Sequence, residues 1–192
     1  SGQYGYGAVP AILPELAAIS DAWLAHHSAR EKGFSLGAFD PQYLTAQPVA
    51  VLKCGGRIVA FANILKTATK AEGSIDLMRF SPDAPKGSMD FLFVQLMEYL
   101  KAQGYRRFNL GMAPLSGMSS RQIAPVWDRA GRAFFEHGER FYNFKGLRAF
   151  KSKFHPRWQP RYLVASGGLN PILALMDATF LIGGGLKGVI RK

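Results

Sequence analysis

Leu13, Leu16, Ala17, Ile19, Trp23 and Leu24 recur at helical spacing from Pro10 to about Arg30, and Gly33 offers a stop, so an amphipathic helix is expected there. After a short segment around Asp40 to Ala46 the period changes. Val49 to Lys53 and Ile58 to Leu65 are β-rich runs flanking Cys54-Gly55-Gly56-Arg57, and the glycine pair supplies the positive φ of a tight turn. That pattern predicts a hairpin. A third strand is expected over Ser74 to Phe80, followed by the turn-rich loop Ser81 to Gly87. Ser88 then caps a predicted helix whose Phe91, Leu92, Val94, Leu96 and Leu100 are broadly distributed, as in a substantially buried helix, with Gly104 ending it. Arg106 to Leu110 reads as the next strand. A loop from Gly111 to Ser119 leads into a helix through His137, started or interrupted near Pro125, and then come aromatic-rich Phe141 to Phe154, a strand at Arg161 to Ala165 and an apolar segment from Pro171 to Ile182.

Helix, hairpin, third strand, helix, strand, helix, strand is the order of an α+β (α/β) fold, a mixed sheet flanked by helices. The helix from Ser88 serves as a crossover between parallel strands. No internal repeat and no second composition regime divide the chain, so one domain is expected over residues 10–192. Residues 1–9, opening on the Gly- and Tyr-rich SGQYGYG, read as a linker or an artificial junction, and hence the chain as a fragment of something longer. With 192 residues, 48% of them apolar and 12% aromatic, a sizeable core is available and a disordered chain is excluded. A single cysteine, Cys54, excludes an intramolecular disulfide framework and a multi-Cys zinc site. A reducing compartment fits best. The sequence shows no run of membrane-span length and no signal-peptide pattern at its start, so the chain as given is expected to be soluble.

Charge changes the picture. Lys and Arg number 24 against 13 Asp and Glu, a formal net charge of +11. Such an excess points to a polyanionic partner, nucleic acid or an anionic membrane surface. Arg140, Lys145, Arg148, Lys151, Lys153, Arg157 and Arg161 contribute +7 in a stretch that contains no acidic residue. Phe141, Tyr142, Phe144, Phe150, Phe154 and Trp158 are interleaved with them. Cations among flat rings suit phosphates and stacked bases of an RNA end, and cations beside apolar anchors suit an anionic bilayer equally. The bland alternative is a core of aromatics under solvated Lys and Arg heads, but an ordinary solvated face mixes both signs.

Asp76 and Arg79 lie in Ile75-Asp76-Leu77-Met78-Arg79-Phe80, a carboxylate within an otherwise apolar strand. A buried carboxylate needs a cation or donors, and its proton affinity can then be tuned for general-base work. An unbroken strand would put Asp76 and Arg79 on opposite faces, so their cooperation requires a bulge or a strand end near Arg79. A structural ion pair or an edge-strand Asp in water is the plain alternative. His26, His27, His137 and His155 have no metal-ligand spacing with Cys, Asp or Glu, so no metal is assigned. G-x-S-x-G and the Walker and dinucleotide fingerprints are absent from the sequence. The loop between Arg79 and Ser88 stands where a CoA-dependent acyltransferase cradles pyrophosphate at a helix N-terminus. Its one Gly, two Pro and an Asp remove N–H groups and add negative charge, which disfavours CoA.

Asp76 to Arg79 (DLMR), Phe108 to Leu115 (FNLGMAPL) and Phe141 to Tyr162 (FYNFKGLRAFKSKFHPRWQPRY) resemble the C-terminal catalytic region of bacterial aminoacyl-phosphatidylglycerol synthases, the multiple peptide resistance factor family. Ile19 to Leu24 and Lys32 to Gly37 extend the resemblance to most of the chain. It implies a GNAT-type acyltransferase fold, the second of two in the family's soluble part. An upstream GNAT-like fold and a transmembrane domain would then be partners within the full-length protein, at the cytosolic face of the bacterial cytoplasmic membrane. The implied reaction takes Lys or Ala from aminoacyl-tRNA to a hydroxyl of phosphatidylglycerol, with no cofactor. By the same resemblance Asp76 and Arg79 belong to the catalytic motif, with Lys151, ahead of Lys153, as a required lysine and Glu139 or Glu136 as a family carboxylate. Asn143, Arg148, Lys153, Arg157 and Trp158 are the implied substrate-binding residues. A CoA-dependent GNAT-type N-acyltransferase and a non-catalytic RNA- or membrane-binding module are the competing readings.

Overall fold

The computed structural model describes residues 2–5, 9–27, 37–113 and 144–161. They fall into two compact units, the first running through Asn109 and the second beginning at Leu110. Along the chain come β1 (Gly2–Gly5), α1 (Val9–His26), α2 (Pro41–Thr45), β2 (Val49–Cys54), β3 (Arg57–Asn63), β4 (Leu65–Lys66), β5 (Gly73–Ser74), β6 (Met78–Phe80), α3 (Ser88–Ala102), β7 (Phe108–Asn109) and α4 (Phe144–Ser152). The expected helix through His137, the apolar segment over Pro171 to Ile182 and the strand at Arg161 to Ala165 fall wholly or almost wholly outside the described residues.

In the first unit β1, β2, β3 and β6 form an antiparallel sheet in that order. The β2–β3 hairpin turns at Gly55 and Gly56, with φ of 56° and 82°, the paired positive values that suit a two-residue turn to strand twist. The opening stretch read as a linker is not free of structure: its Gly2–Gly5 backbone pairs with Val49 to Leu52 as an edge strand. β4, β5 and β7 make a second sheet in which β5 and β7 are parallel, joined through α3. The mixed α/β architecture expected from the order of elements is therefore the one formed.

The hairpin is buried on both faces. Val49, Val51 and Phe61 pack with Leu16 and Ile19 of α1 and Leu44 of α2, while Ala50, Leu52, Ala60 and Ala62 pack with Leu92, Leu96 and Leu100 of α3. Helices on both sides explain why β2 and β3 read as continuous apolar runs rather than as alternation. α3 begins differently from expectation. Gly87, at φ 83°, holds the cap position, and the Ser88 hydroxyl turns back to donate to the Pro85 carbonyl at 2.6 Å. The helix ends as predicted at Gly104: its N–H donates to the Lys101 carbonyl and that of Tyr105 to the Leu100 carbonyl, the paired bonds of a left-handed glycine stop.

The third strand is broken. Gly73–Ser74 pairs in the second sheet and Met78–Phe80 in the first, so residues 75–77 cross from one sheet to the other. Asp76 lies in that crossing and is exposed, not buried inside an apolar strand as its sequence neighbours suggest.

Candidate active site

The crossing chain must find hydrogen-bond partners where no ladder serves it. Asn63, fully buried at the end of β3, supplies them: its Oδ1 accepts from the N–H of Asp76 at 3.1 Å and of Leu77 at 2.9 Å. The Asn63 N–H donates in turn to the Leu77 carbonyl at 3.1 Å. The same amide also reaches the carboxylate, its Nδ2 donating to Asp76 Oδ1 and, at 3.1 Å, to Gln47 Oε1. The other carboxylate oxygen is met from α2. Asp40 caps that helix by accepting from the Tyr43 N–H at 2.9 Å, with Pro41 opening the first turn, and Tyr43 donates its hydroxyl to Asp76 Oδ2 at 2.6 Å. Burial first, and then the bond to Asp76, push the Tyr43 pKa above its usual 10.0, so the phenol keeps its proton and acts as donor.

Arg79 follows on β6, opposite Phe61 across the ladder. Its guanidinium carbon lies 4.3 Å from the centre of the Trp23 ring, and its Nη1 donates to the Met78 carbonyl at 2.9 Å. Trp23 is stacked on His27 at 4.3 Å, and His27 Nδ1 bonds the Trp23 carbonyl at 2.8 Å one turn back. The interruption at 75–77 removes the opposite-face constraint on Asp76 and Arg79. Asp76 bonds to Tyr43 and Asn63 rather than to Arg79, so the plain ion-pair alternative does not describe it.

In the second unit Lys151 is 6% exposed, in the last turn of α4. Its Nζ donates to the Met112 carbonyl at 2.6 Å, and burial pulls its pKa below the usual 10.5. Gly111 (φ 73°) lies so close that a Cβ there would stand 3.5 Å from Nζ. Lys153 is exposed, its Nζ 5.4 Å from the Phe150 ring centre. Of the two lysines, Lys151 is the buried one. Arg148 lies 4.7 Å over Trp158, which is 41% exposed, and Arg157 and Arg161 are exposed. Phe150 and Phe154 meet edge to face at 5.5 Å and are half-buried. Glu136, Glu139 and Asn143 lie outside the described residues.

Three N–H groups of the loop before α3 are spent within the loop. The Asp83 N–H goes to Ser81 Oγ at 3.3 Å, that of Ala84 to the Ser81 carbonyl at 2.9 Å and that of Ser88 to the Pro85 carbonyl at 3.0 Å, while Pro82 and Pro85 have none to give. A pyrophosphate cradle needs those groups convergent and free. Among the described residues no trio of His, Cys, Asp or Glu is placed to hold a metal, and no helix is long and apolar enough to cross a membrane.

Residues 5–165 match the family described as phosphatidylglycerol lysyltransferase, C-terminal. The chain belongs to that family. Among phosphatidylglycerol lysyltransferases, it is 42% identical over 174 residues to the protein of Bacillus subtilis (strain 168), a match covering 90% of this chain and 20% of that one. The Staphylococcus aureus (strain COL) protein is 36% identical over 154 residues, covering 80% and 18%. The chain thus spans about one fifth of the length of the curated phosphatidylglycerol lysyltransferases it matches. Its fold is similar to the crystal structure of the C-terminal domain of a putative lysylphosphatidylglycerol synthetase from Agrobacterium fabrum, with a TM-score of 0.83 and 59% identity, covering 98% of this chain and 56% of that one. The L-PGS structure from Bacillus licheniformis follows, with a TM-score of 0.78 and 40% identity over 96% and 55%.

Tyr43, Asn63, Trp23 and Gly37, the surroundings of Asp76 and Arg79, are absent from the candidates drawn from the sequence. Asp40-Pro41 is a helix-start signal that would have put Tyr43 on a helix, but nothing local links it to a carboxylate 33 positions away.

Proposed function

We propose that this chain is part of an enzyme that transfers an aminoacyl group, Lys or Ala, from aminoacyl-tRNA to a hydroxyl of phosphatidylglycerol, changing the charge of the membrane lipid. The observation that carries the reading is the 36–42% identity, over 80–90% of this chain, with proteins named phosphatidylglycerol lysyltransferase. The lipid glycerol hydroxyl attacks the aminoacyl ester carbonyl, a new ester C–O bond forms, and the bond to the tRNA ribose oxygen breaks. The proton leaving the lipid hydroxyl ends on that ribose oxygen.

Asp76 suits the proton's passage or the orientation of the hydroxyl. Each of its oxygens holds one donor and keeps a further lone-pair direction, and the residue is open to solvent. Arg79 or Lys151 supplies the cation that stabilises the developing oxyanion or holds a phosphate. Glu139 or Glu136 adds the family carboxylate, and Asn143, Arg148, Lys153, Arg157 and Trp158 bind the anionic substrates. Both substrates being anions accounts for the +11 charge. The ester donor is already activated, so placement of two large anions is the main demand and no cofactor is needed. The rest of the protein would contribute an upstream GNAT-like fold and a transmembrane domain, holding the site at the cytosolic face of the bacterial membrane.

The test uses the intact protein with Asp76→Asn, labelled Lys-tRNA or Ala-tRNA and phosphatidylglycerol vesicles. Transfer is expected to fall at least about 100-fold, in the range of a lost general base. A wild-type rate would overturn the assignment. CoA-dependent N-acyl transfer, the competing enzyme reading, requires CoA to raise the melting temperature, and the two prolines and the three N–H groups already bonded within the loop before α3 favour no shift.

A further inference from the structure

Asp76 is exposed, yet its carboxylate is fixed from three directions. Tyr43 reaches Oδ2 from α2, and Asn63 reaches Oδ1 from the end of β3. From the third side the Gly37 backbone closes in: a Cβ there would stand 2.8 Å from Asp76 Cγ, 2.9 Å from Oδ1 and 2.9 Å from Leu77 Cβ. Real Cβ atoms do not approach so closely, and the carboxyl is anchored at both oxygens, so no side chain fits at position 37 unless Asp76 moves.

The three contacts differ in what else they do. Asn63 also satisfies two peptide N–H groups of the crossing, so it holds the backbone as well as the carboxylate. The Tyr43 hydroxyl has Asp76 as its only hydrogen-bond acceptor among the described residues, on a side chain that is half-buried. The Gln47 and Asn63 amides also approach that oxygen, while Leu44 is the helix's buried anchor. An exposed carboxylate with ordinary rotamer freedom would not stay within the few tenths of an ångström that a reacting group needs.

We infer that Tyr43 and Gly37 are positioning residues for Asp76: the hydroxyl and the bare backbone hold the carboxylate in one rotamer, with its remaining lone pairs turned to solvent, where a substrate hydroxyl or ammonium can meet them. This rests on the catalytic role proposed for Asp76. Neither residue touches substrate in this assignment; each acts through the carboxylate.

The experiment is steady-state transfer from labelled aminoacyl-tRNA to phosphatidylglycerol vesicles by the intact protein, carrying Tyr43→Phe, Gly37→Ala, Asp76→Asn or Asp76→Ala. Tyr43→Phe removes one oxygen and keeps the ring. Its kcat is expected to fall about tenfold, the scale of one lost hydrogen bond to a charged group, with KM for both substrates within about twofold and a melting temperature close to wild type. Gly37→Ala is expected to lower kcat at least as much. In the Asp76→Ala background, followed under single-turnover conditions, Tyr43→Phe is expected to have no further effect, because the hydroxyl then has no carboxylate to hold. Unchanged kcat in Tyr43→Phe while Asp76→Asn is inactive would overturn the positioning role and leave the role of Asp76 standing. An equal loss with and without Asp76, or a loss that tracks a lowered melting temperature, would overturn it as well, by making Tyr43 merely structural. A wild-type rate in Asp76→Asn would remove the catalytic reading and the positioning role together.

Discussion

Lys151 is an amine with most of its hydration removed and one carbonyl, that of Met112, in its place. Because burial lowers its pKa below 10.5, the folded protein binds this proton less tightly than the unfolded chain does. The charged lysine therefore costs stability at every pH below its folded pKa, and that cost fades as the pH rises from there toward 10.5. Lys151→Met has no such titration. Thermal melts of the two proteins over this window are expected to show wild type gaining on Lys151→Met by a few degrees as the pH rises; a constant difference would mean that the amine is not buried in solution. In the transfer assay Lys151→Met is expected to be inactive and Lys153→Met, at an exposed lysine proposed to bind the anionic substrates, to lose activity mainly through a raised KM. At this scale the sequence was informative about residue type. An Asp and an Arg three apart in an apolar run, and a Lys in an acid-free aromatic stretch, were visible as anomalies, whereas the phenol, amide and glycine that receive Asp76 look ordinary in their own neighbourhoods.

Among elements, the hairpin and α3 were legible because their signals are local: a glycine pair between β-rich runs, and a buried helical face with a glycine stop. The third strand was not. The seven residues from Ser74 to Phe80 read as one β-rich run, and only pairing partners far along the chain assign its two ends to different sheets. The surroundings of Asp76 depend on that division, since the crossing between the sheets is where Tyr43 and Asn63 meet its carboxylate. Packing holds β5 in place. A methyl on Gly73 would lie 2.7 Å and 3.0 Å from the two terminal carbons of Leu100, itself 1% exposed and unable to retreat. Gly73→Ala is therefore expected to destabilise the protein by about 1–3 kcal/mol, the usual penalty of overpacking a filled core, read as a lowered urea midpoint with an unchanged slope. A midpoint equal to wild type would show that β5 and α3 are packed less tightly than this.

For the whole molecule, the acid-free stretch from Arg140 to Arg161 holds +7 of the +11, which makes salt the natural probe of the proposed anionic partners. Binding of the intact protein to aminoacyl-tRNA is expected to weaken linearly in log–log form with salt, and replacing Arg157 and Arg161, both exposed, by Gln is expected to lower the slope by about one for each arginine that meets a phosphate. A slope unchanged in the double variant would place the RNA contact elsewhere. The sequence by itself determined the α/β class, the hairpin, α3, the excess of positive charge and where it concentrates, and the family. Each of these is written in short-range periodicity, in composition, or in motifs of a few consecutive residues. Only the tertiary structure decided that Asp76 is open to solvent rather than buried, that it is held by Tyr43 and Asn63, that Trp23 lies against Arg79, and that Lys151 rather than Lys153 is enclosed. Those contacts join residues that are neighbours only after the sheets form, and hydrogen bonding and steric exclusion act across that space whatever the distance along the chain.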